Sequence, residues 1–333
     1  MIKINSKRVE LILSQLKNKK IVVVGDIMID EYLWGKVSRL SPEAPVPVVE
    51  VQNESLRFGG AANVALNLKT LGCIPIIIGI TGTDSMADRF LELMEQNNLA
   101  TDGIVRDGDR PTTVKTRIIG DNQHIARVDR ERVKYVDGEI FDSIKAKITK
   151  QLKSADAVIL QDYNKGVLNK EIIYHVLNTA NNAGIISAVD PKFINFMEYT
   201  ESTIFKPNIQ ETSQALTCTI DTEDDIINAG NALLDKLKAK NVLLTLGSHG
   251  MALFESNGKY SHVHTKTRNV ADVSGAGDTV ISTMTAAMVG GATAREAASM
   301  ANYAAGIVCE EVGIIPIEAE VLKQEIISRE GHA

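Results

Sequence analysis

The feature that most constrains this chain is the run Ile21-Val22-Val23-Val24, closed by Gly25-Asp26. Four β-branched residues in succession leave no polar face, so the segment must be covered on both sides, as a central parallel strand is. Apolar runs recur at 76–80, 157–160, 185–189 and 242–246. Most are separated by segments of helical period, at 61–71, 86–99, 141–152 and 171–183, after an opening amphipathic helix carrying Val9, Leu11, Ile12 and Leu16. Strand and helix in alternation predict an α/β protein, a layered sheet with right-handed crossovers. A length of 333 residues allows two domains or one large α/β domain with an insertion, and the order of elements favours one domain over 1–333.

Two segments interrupt the alternation. Residues 31–57 hold Pro42, Pro45 and Pro47 among Val46, Val48, Val49 and Val51, which suits extended edge strands. Residues 111–129 alternate Thr113, Lys115 and Arg117 with Val114 and Ile118, turn at Gly120-Asp121-Asn122 and return through Ile125, the pattern of a hairpin. Together they predict a small β-rich lid projecting from the sheet. A firmer hairpin joins 251–255 to 259–264 through Ser256-Asn257-Gly258. From Ala276 onward the chain reads as helical and rich in small residues.

Charge limits the partners. With 36 Lys and Arg against 42 Asp and Glu, the net charge of −6 offers no basic field to gather nucleic acid or anionic lipid. Cys73, Cys218 and Cys309 lie far apart and outside any C-x-x-C pair, which argues against a disulfide framework or zinc cluster and suits a reducing cytoplasm. Residues 1–20 mix Lys and Asn with apolar residues and lack a secretory h-region. The stretch 297–309 contains Ser299 and Asn302 and falls short of the ~20 residues a membrane span needs. The expectation is a cytoplasmic protein with neither nucleic-acid nor membrane partner. His262 and His264 would share one strand face, as a surface pair rather than a metal site.

The sharpest local feature is Asp272-Val273-Ser274-Gly275-Ala276-Gly277-Asp278-Thr279 ahead of a helical segment. Gly275 and Gly277 allow close backbone approach, and free N–H groups at a helix start suit a phosphate. Asp278 falls in the first turn, where the helix dipole is expected to favour its ionised form. An acidic cap after a flexible turn explains the same residues. Gly59-Gly60-Ala61-Ala62-Asn63 opens another helix, as a second close-approach turn or as tight helix–sheet packing. Asn208-Ile209-Gln210-Glu211 puts an amide and a carboxylate on one helix face, for magnesium handling or as a capping box. The P-loop and the dinucleotide fingerprint are missing. Neither Gly35-Lys36 nor Gly258-Lys259 precedes Ser or Thr, and the first strand runs into Gly25-Asp26-Ile27-Met28-Ile29-Asp30.

The ordered set of Gly-Gly-x-x-Asn, Asn-x-x-Glu and Gly-Ala-Gly-Asp, with a β-lid after the first strand, resembles the ribokinase (PfkB) family of sugar kinases over residues 20–313. Ser38-Arg39-Leu40-Ser41-Pro42-Glu43-Ala44-Pro45-Val46-Pro47, Gln161-Asp162-Tyr163-Asn164-Lys165-Gly166, Val189-Asp190-Pro191-Lys192 and Lys206-Pro207-Asn208 are similar to its heptose 7-phosphate kinase branch. The resemblance implies a ribokinase-like α/β/α fold and ATP-dependent phosphorylation of D-glycero-β-D-manno-heptose 7-phosphate at its anomeric hydroxyl, within lipopolysaccharide core-heptose synthesis. Asp278 would be the base, with the N–H groups of Gly275, Ala276 and Gly277 stabilising the transferring phosphoryl. Asn208 and Glu211 would arrange Mg²⁺ through water. Thr245, Gly247, Ser248, Gly250 and Asn302 would lie near ATP, and Asp30, Gly59, Gly60 and Asn63 near the sugar. Asp272 and Ser274 match the position of a monovalent cation, K⁺. A distal phosphate needs cations, and Arg39, Arg117, Arg127, Lys165 and Lys192 are the candidates. Many heptose kinases are fused to an adenylyltransferase, whose His-x-Gly-His motif is missing before Ala333, so a free-standing kinase is expected, dimeric through the lid. The rivals are another sugar or sugar-phosphate kinase of this family, acting on fructose 1- or 6-phosphate for example, and a catalytically silent nucleotide- or sugar-binding regulator.

Overall fold

A computed structural model describes residues 5–121, 123–265 and 270–330. In chain order the strands are β1 (Lys20–Gly25), β2 (Ile27–Leu40), β3 (Pro47–Gly60), β4 (Ile74–Thr81), β5 (Ile104–Arg106), β6 (Val114–Gly120), β7 (Gln123–Arg130), β8 (Ala157–Gln161), β9 (Ile186–Asp190), β10 (Ile204–Phe205), β11 (Asn241–Thr245), β12 (Met251–Glu255) and β13 (Tyr260–Val263). The helices are α1 (Ser6–Ser14), α2 (Ala61–Thr70), α3 (Ser85–Gln96), α4 (Gly138–Leu152), α5 (Lys170–Ala183), α6 (Ile209–Leu216), α7 (Glu223–Leu237), α8 (Ala276–Val289), α9 (Ala294–Cys309) and α10 (Ala319–Glu330).

The apolar runs become a nine-stranded sheet ordered β13-β12-β11-β10-β9-β8-β1-β4-β5. β1 lies at its heart, parallel to β4 and β8, with Val23 opposite Ile77 and Ile159. Side chains alternate across a strand. Ile21 and Val23 accordingly enter the core shared with α1, α2, α8 and α9, while Val22 and Val24 enter the core shared with α4, α5 and α7. Two apolar layers account for a run with no polar face, and they establish the α/β/α layering expected from sequence. Burying each such Val or Ile contributes roughly 1.5–3 kcal/mol. The Asn257-Gly258 hairpin forms β12 and β13, antiparallel on the β11 edge. In α1, Val9 and Ile12 are buried and Leu11 points outward; Leu16, expected on the same helix, is buried just beyond its end at Ser14.

The two interrupting segments build one second sheet, ordered β3-β2-β6-β7, in which β2 and β6 run parallel. β2 was expected at an edge and is interior instead. Its prolines do not obstruct it, because Pro42 and Pro45 sit in the turn and Pro47 is the first residue of β3. Asn122, in the expected 120–122 turn, lies outside the described residues. The sheets meet at Asp26, between β1 and β2, where the Ala61 N–H donates to the Asp26 carbonyl at 3.0 Å as the chain returns from β3 into α2. Gly60 stands there at φ +58°, and a Cβ on it would lie 2.4 Å from that same oxygen. Among the described residues no helix is long and apolar enough to cross a membrane.

Candidate active site

Helix α8 starts behind Gly275, which holds a left-handed φ of +79°. Any side chain there would press on Asn63, since a Cβ would lie 3.0 Å from Asn63 Nδ2. This turn places Asp278 in the first helical turn, 2% exposed, against three donors from three other segments. Asn63 Nδ2, from the start of α2, donates to Asp278 Oδ2 at 2.8 Å. Gln161 Nε2, the last residue of β8, donates to Oδ1 at 3.0 Å, and the Tyr163 hydroxyl donates to Oδ1 at 2.9 Å.

Burial, with the nearby Asp190, pushes the Asp278 carboxyl up to about 7, against the donors Asn63 and Tyr163 and the charge of Lys206. Burial therefore outweighs the helix dipole that was expected to favour the ionised form. A dipole contributes about 0.3–2 kcal/mol, less than the loss of water around a buried carboxylate costs. Gln161 Nε2 also donates to Asp190 Oδ2 at 3.0 Å, and Lys206 Nζ stands 3.0 Å from Asp190 Oδ1, both side chains buried. Gly277 borders this pair, as a Cβ on it would lie 3.5 Å from Lys206 Nζ. Of the three expected backbone donors, the Ala276 N–H is engaged by the Val273 carbonyl at 3.2 Å, because the turn closes on itself before the helix begins.

Sequence reading missed the residues that shape this site. Asp26 is wholly buried, and its carboxylate accepts the N–H groups of Tyr163 (2.8 Å), Lys165 (2.9 Å) and Val167 (3.1 Å). Burial and the like charge of Asp162 raise it to about 6 in spite of those bonds. Asp162 is held in turn by the Tyr199 hydroxyl at 2.7 Å and the Asn164 N–H at 2.7 Å. The signals for Gln161, Tyr163 and Lys206 were the 161–166 and 206–208 strings, which gave them no role; Asp26 gave none, since its partners are distant in sequence.

At the start of α6, Asn208 and Glu211 form the capping box, each side chain bonded to the other's N–H at 2.8 and 2.9 Å. The second Glu211 oxygen takes the Lys192 ammonium, which also stands 5.5 Å from the Tyr163 ring centre. The Thr245 N–H donates to the Pro207 carbonyl at 3.0 Å, so β11 delivers Thr245 and the turn at Gly247 and Ser248 beside Asn208. Gly250 has a packing reason of its own, a Cβ being 2.1 Å from the Val263 carbonyl. Asn302 borders a cavity of about 380 Å³ with Tyr303, Gly306, Ile307 and Glu310. Asp272 accepts from the Ser274 N–H at 2.9 Å and the Gly313 N–H at 3.0 Å.

The second sheet presents one charged face. Asp30 pairs with Arg117, and a Cβ on Gly59 would strike Asp30 Oδ2 at 2.2 Å. Strand register sets Lys115 opposite Asp30 and Asp129, and Arg117 opposite Tyr32 and Arg127. Lys165 joins this face through Glu131, at 2.7 Å, which also neighbours Lys115 at 3.4 Å. Three of the five candidate cations thus gather near Asp30. Arg39 does not, standing exposed nine residues further along β2, and Lys192 belongs to the Glu211 side. Burial pushes the Asp30 carboxyl up against the pull of Arg117. His262 and His264 lie with ring centres 4.1 Å apart and planes tilted by 37°, and no group of three or more metal-ligating side chains occurs among the described residues. A divalent ion here suits a nucleotide-borne Mg²⁺, which keeps most of its waters and needs one or two carboxylates.

Residues 18–320 match the profile described as pfkB family carbohydrate kinase. The chain is 40% identical over 307 residues to the bifunctional protein HldE of Desulfatibacillum aliphaticivorans, covering 92% of this chain and 63% of that protein. It is 39% identical over 295 residues to the HldE of Helicobacter pylori strain G27, covering 89% and 64%. The chain thus spans somewhat less than two thirds of the length of these curated relatives. Among solved structures, phosphofructokinase-2 from Escherichia coli in complex with potassium superposes with a TM-score of 0.79 at 16% identity, covering 94% and 99% of the two chains. Arabidopsis thaliana ribokinase complexed with ribose and ATP gives 0.72 at 21%, covering 93% and 99%. At those identities the likeness is one of fold.

Proposed function

The chain belongs to the pfkB family of carbohydrate kinases, and from the premise of an ATP-dependent sugar kinase we propose that it phosphorylates D-glycero-β-D-manno-heptose 7-phosphate on its anomeric hydroxyl, giving the 1,7-bisphosphate for lipopolysaccharide core-heptose (ADP-heptose) synthesis. The observation that carries this reading is the buried Asp278, held by Asn63, Gln161 and Tyr163, with the Asp30 that pairs with Arg117 near enough for its charge to act on the same Tyr163. The HldE relatives support heptose as the sugar.

In this reading Asp278 takes the C1 hydroxyl proton as that oxygen attacks the γ-phosphorus, and the bridging oxygen–γ-phosphorus bond breaks with ADP leaving. The N–H groups of Gly275 and Gly277 and the Lys206 ammonium receive the developing phosphoryl charge, and Ala276 joins them once its N–H leaves Val273. Asn63, Gly59 and Gly60 hold the sugar with Asp30, while Arg117 and Arg127, with Lys165 beyond them, take the 7-phosphate. Thr245, Gly247, Ser248 and Asn302 border the nucleotide. Mg²⁺ neutralises the ATP phosphates when bound, and Asn208 and Glu211 would hold its waters once Lys192 gives way. Asp272 with Ser274 would hold K⁺. The 31–57 and 111–129 segments act as a lid over the sugar and as the dimer contact of a cytoplasmic single-domain kinase over 1–333.

The test is ADP release with heptose 7-phosphate, free heptose and fructose 6-phosphate as acceptors. We expect kcat/KM at least about tenfold higher for heptose 7-phosphate, since one charge-assisted contact is worth ~1.5–3 kcal/mol. Equal efficiency on free and phosphorylated heptose overturns the sugar-phosphate assignment.

A further inference from the structure

Gln161 and Tyr163 both donate to Asp278 Oδ1, at 3.0 and 2.9 Å, whereas among the described residues Oδ2 has one donor, Asn63. A carboxylate offers two acceptor sites per oxygen, so Oδ1 is filled and Oδ2 keeps one open. We propose that Tyr163 is a positioning residue, whose hydroxyl saturates Oδ1 and so turns Oδ2 of Asp278 to the acceptor hydroxyl. The inference rests on the reading of Asp278 as the base, and it concerns a residue to which that reading gives no role.

The surroundings of Tyr163 fit a fixed donor. Its backbone is pinned, because its N–H bonds Asp26 at 2.8 Å. The Lys192 ammonium over its ring draws electron density from the phenol and strengthens the O–H as a donor. Burial and the charges of Asp278, Asp190 and Asp30 hold the phenol well above its usual range, so it keeps its proton wherever Asp278 titrates. Other charged groups bear on Asp278 too: Asp190 from β9, Lys206 after β10, and Lys192. These remain in a Tyr163→Phe variant. A shift there reports the lost hydroxyl.

The experiment pairs two readouts in Tyr163→Phe. One is the ¹³C titration of the Asp278 carboxyl in the full chain without substrate, and the other is kcat against pH in the sugar kinase assay. A lost hydrogen bond to the charged form raises a carboxyl by ~1 pH unit, so the titration and the acidic limb of kcat should both move upward by that amount. Turnover at pH 6 should fall about tenfold relative to wild type and recover towards it at pH 9, while KM for ATP stays constant. A purely structural role would lower kcat evenly across pH. Incorporation of 3,5-difluorotyrosine at 163, a stronger donor, should shift both readouts downward and decides the matter if Tyr163→Phe does not fold. An unmoved Asp278 titration overturns the proposal and leaves the base intact. A moved titration with an unmoved kcat limb shows instead that Asp278 is not the base.

Discussion

β1 and β7 lie in one molecule and share almost nothing in their surroundings. Every residue of β1 from Ile21 to Gly25 is buried, and every residue of β7 is exposed. β1 is covered by apolar layers on both faces, so side chains at the ends of β8 beside it and of β9 one strand further, Gln161 and Asp190, have no room to drift. Among the described residues the second sheet reaches the core at its base, through Ile27, Ile29, Phe58 and Val114, and its outer length bears ion pairs that water can replace. The proposed function puts the chemistry, which needs an invariant position, on the first kind of strand, and sugar recognition, which must open to admit a ligand, on the second.

The sharpest way to break that division is Asp278→Asn. If the core carries the chemistry, turnover should drop by about 10²–10⁴-fold with ATP binding retained, as measured by ADP release and titration calorimetry. Because Asp278 acts as a base only when ionised, wild-type kcat should fall as pH drops below about 7. Turnover close to wild type in the variant would place the base elsewhere.

Arg117→Ala tests the other sheet. Removing one charge-assisted contact should lower kcat/KM for the phosphorylated sugar by ~10–100-fold and that for free heptose much less. Similar losses on both sugars would mean that Arg117 serves only to hold Asp30. Amide exchange sharpens the contrast further. Sugar should slow exchange in β2, β3, β6 and β7 roughly tenfold and leave β1 and β8 unchanged, and identical rates with and without sugar would end the lid reading.

How much of this was legible in the sequence follows the same division. Continuous apolar runs announced β1, β4, β8, β9 and β11 because two-sided burial writes itself into composition. β5 and β10 are three and two residues long, too short for any period to register. α7 went unread although Thr222 and Asp225 carry its capping box, a signal that was available. In the site, Asp278, Asn63, Gly275 and Gly277 stood out through their turns. Asp26, Lys206 and Asp190 did not, since a buried charge is meaningful only beside its partner, and Asp26 and Tyr163 are 137 positions apart. Lys192 was read towards the distal phosphate from its strand-end position, which could not show that Glu211 would claim it.

The smallest expected effect concerns stability. Asp278 is raised in the folded protein above its unfolded value near 3.9, so its contribution is fully present below that value and is lost as pH rises through about 7. Asp278→Asn lacks this loss, and its melting temperature should gain on wild type by a few degrees between about pH 4 and pH 7. A constant difference across that window would show that the buried carboxyl titrates normally.

Asp26 and Gly60 give the second sheet a mechanical character. β2 and β3 leave the core and return to it at that one point, and each is fourteen residues long. At ~3.3 Å per residue they form an arm of roughly 40 Å, so a rotation of about 5° at its root sweeps the far turn through roughly 4 Å. Asp30 and Gly59, near the fulcrum, barely travel under the same rotation, while Arg39 and the proline turn travel furthest. A small tilt set by what lies against Asp30 is therefore magnified at the tip, and a load on the tip returns to Asp30 as torque.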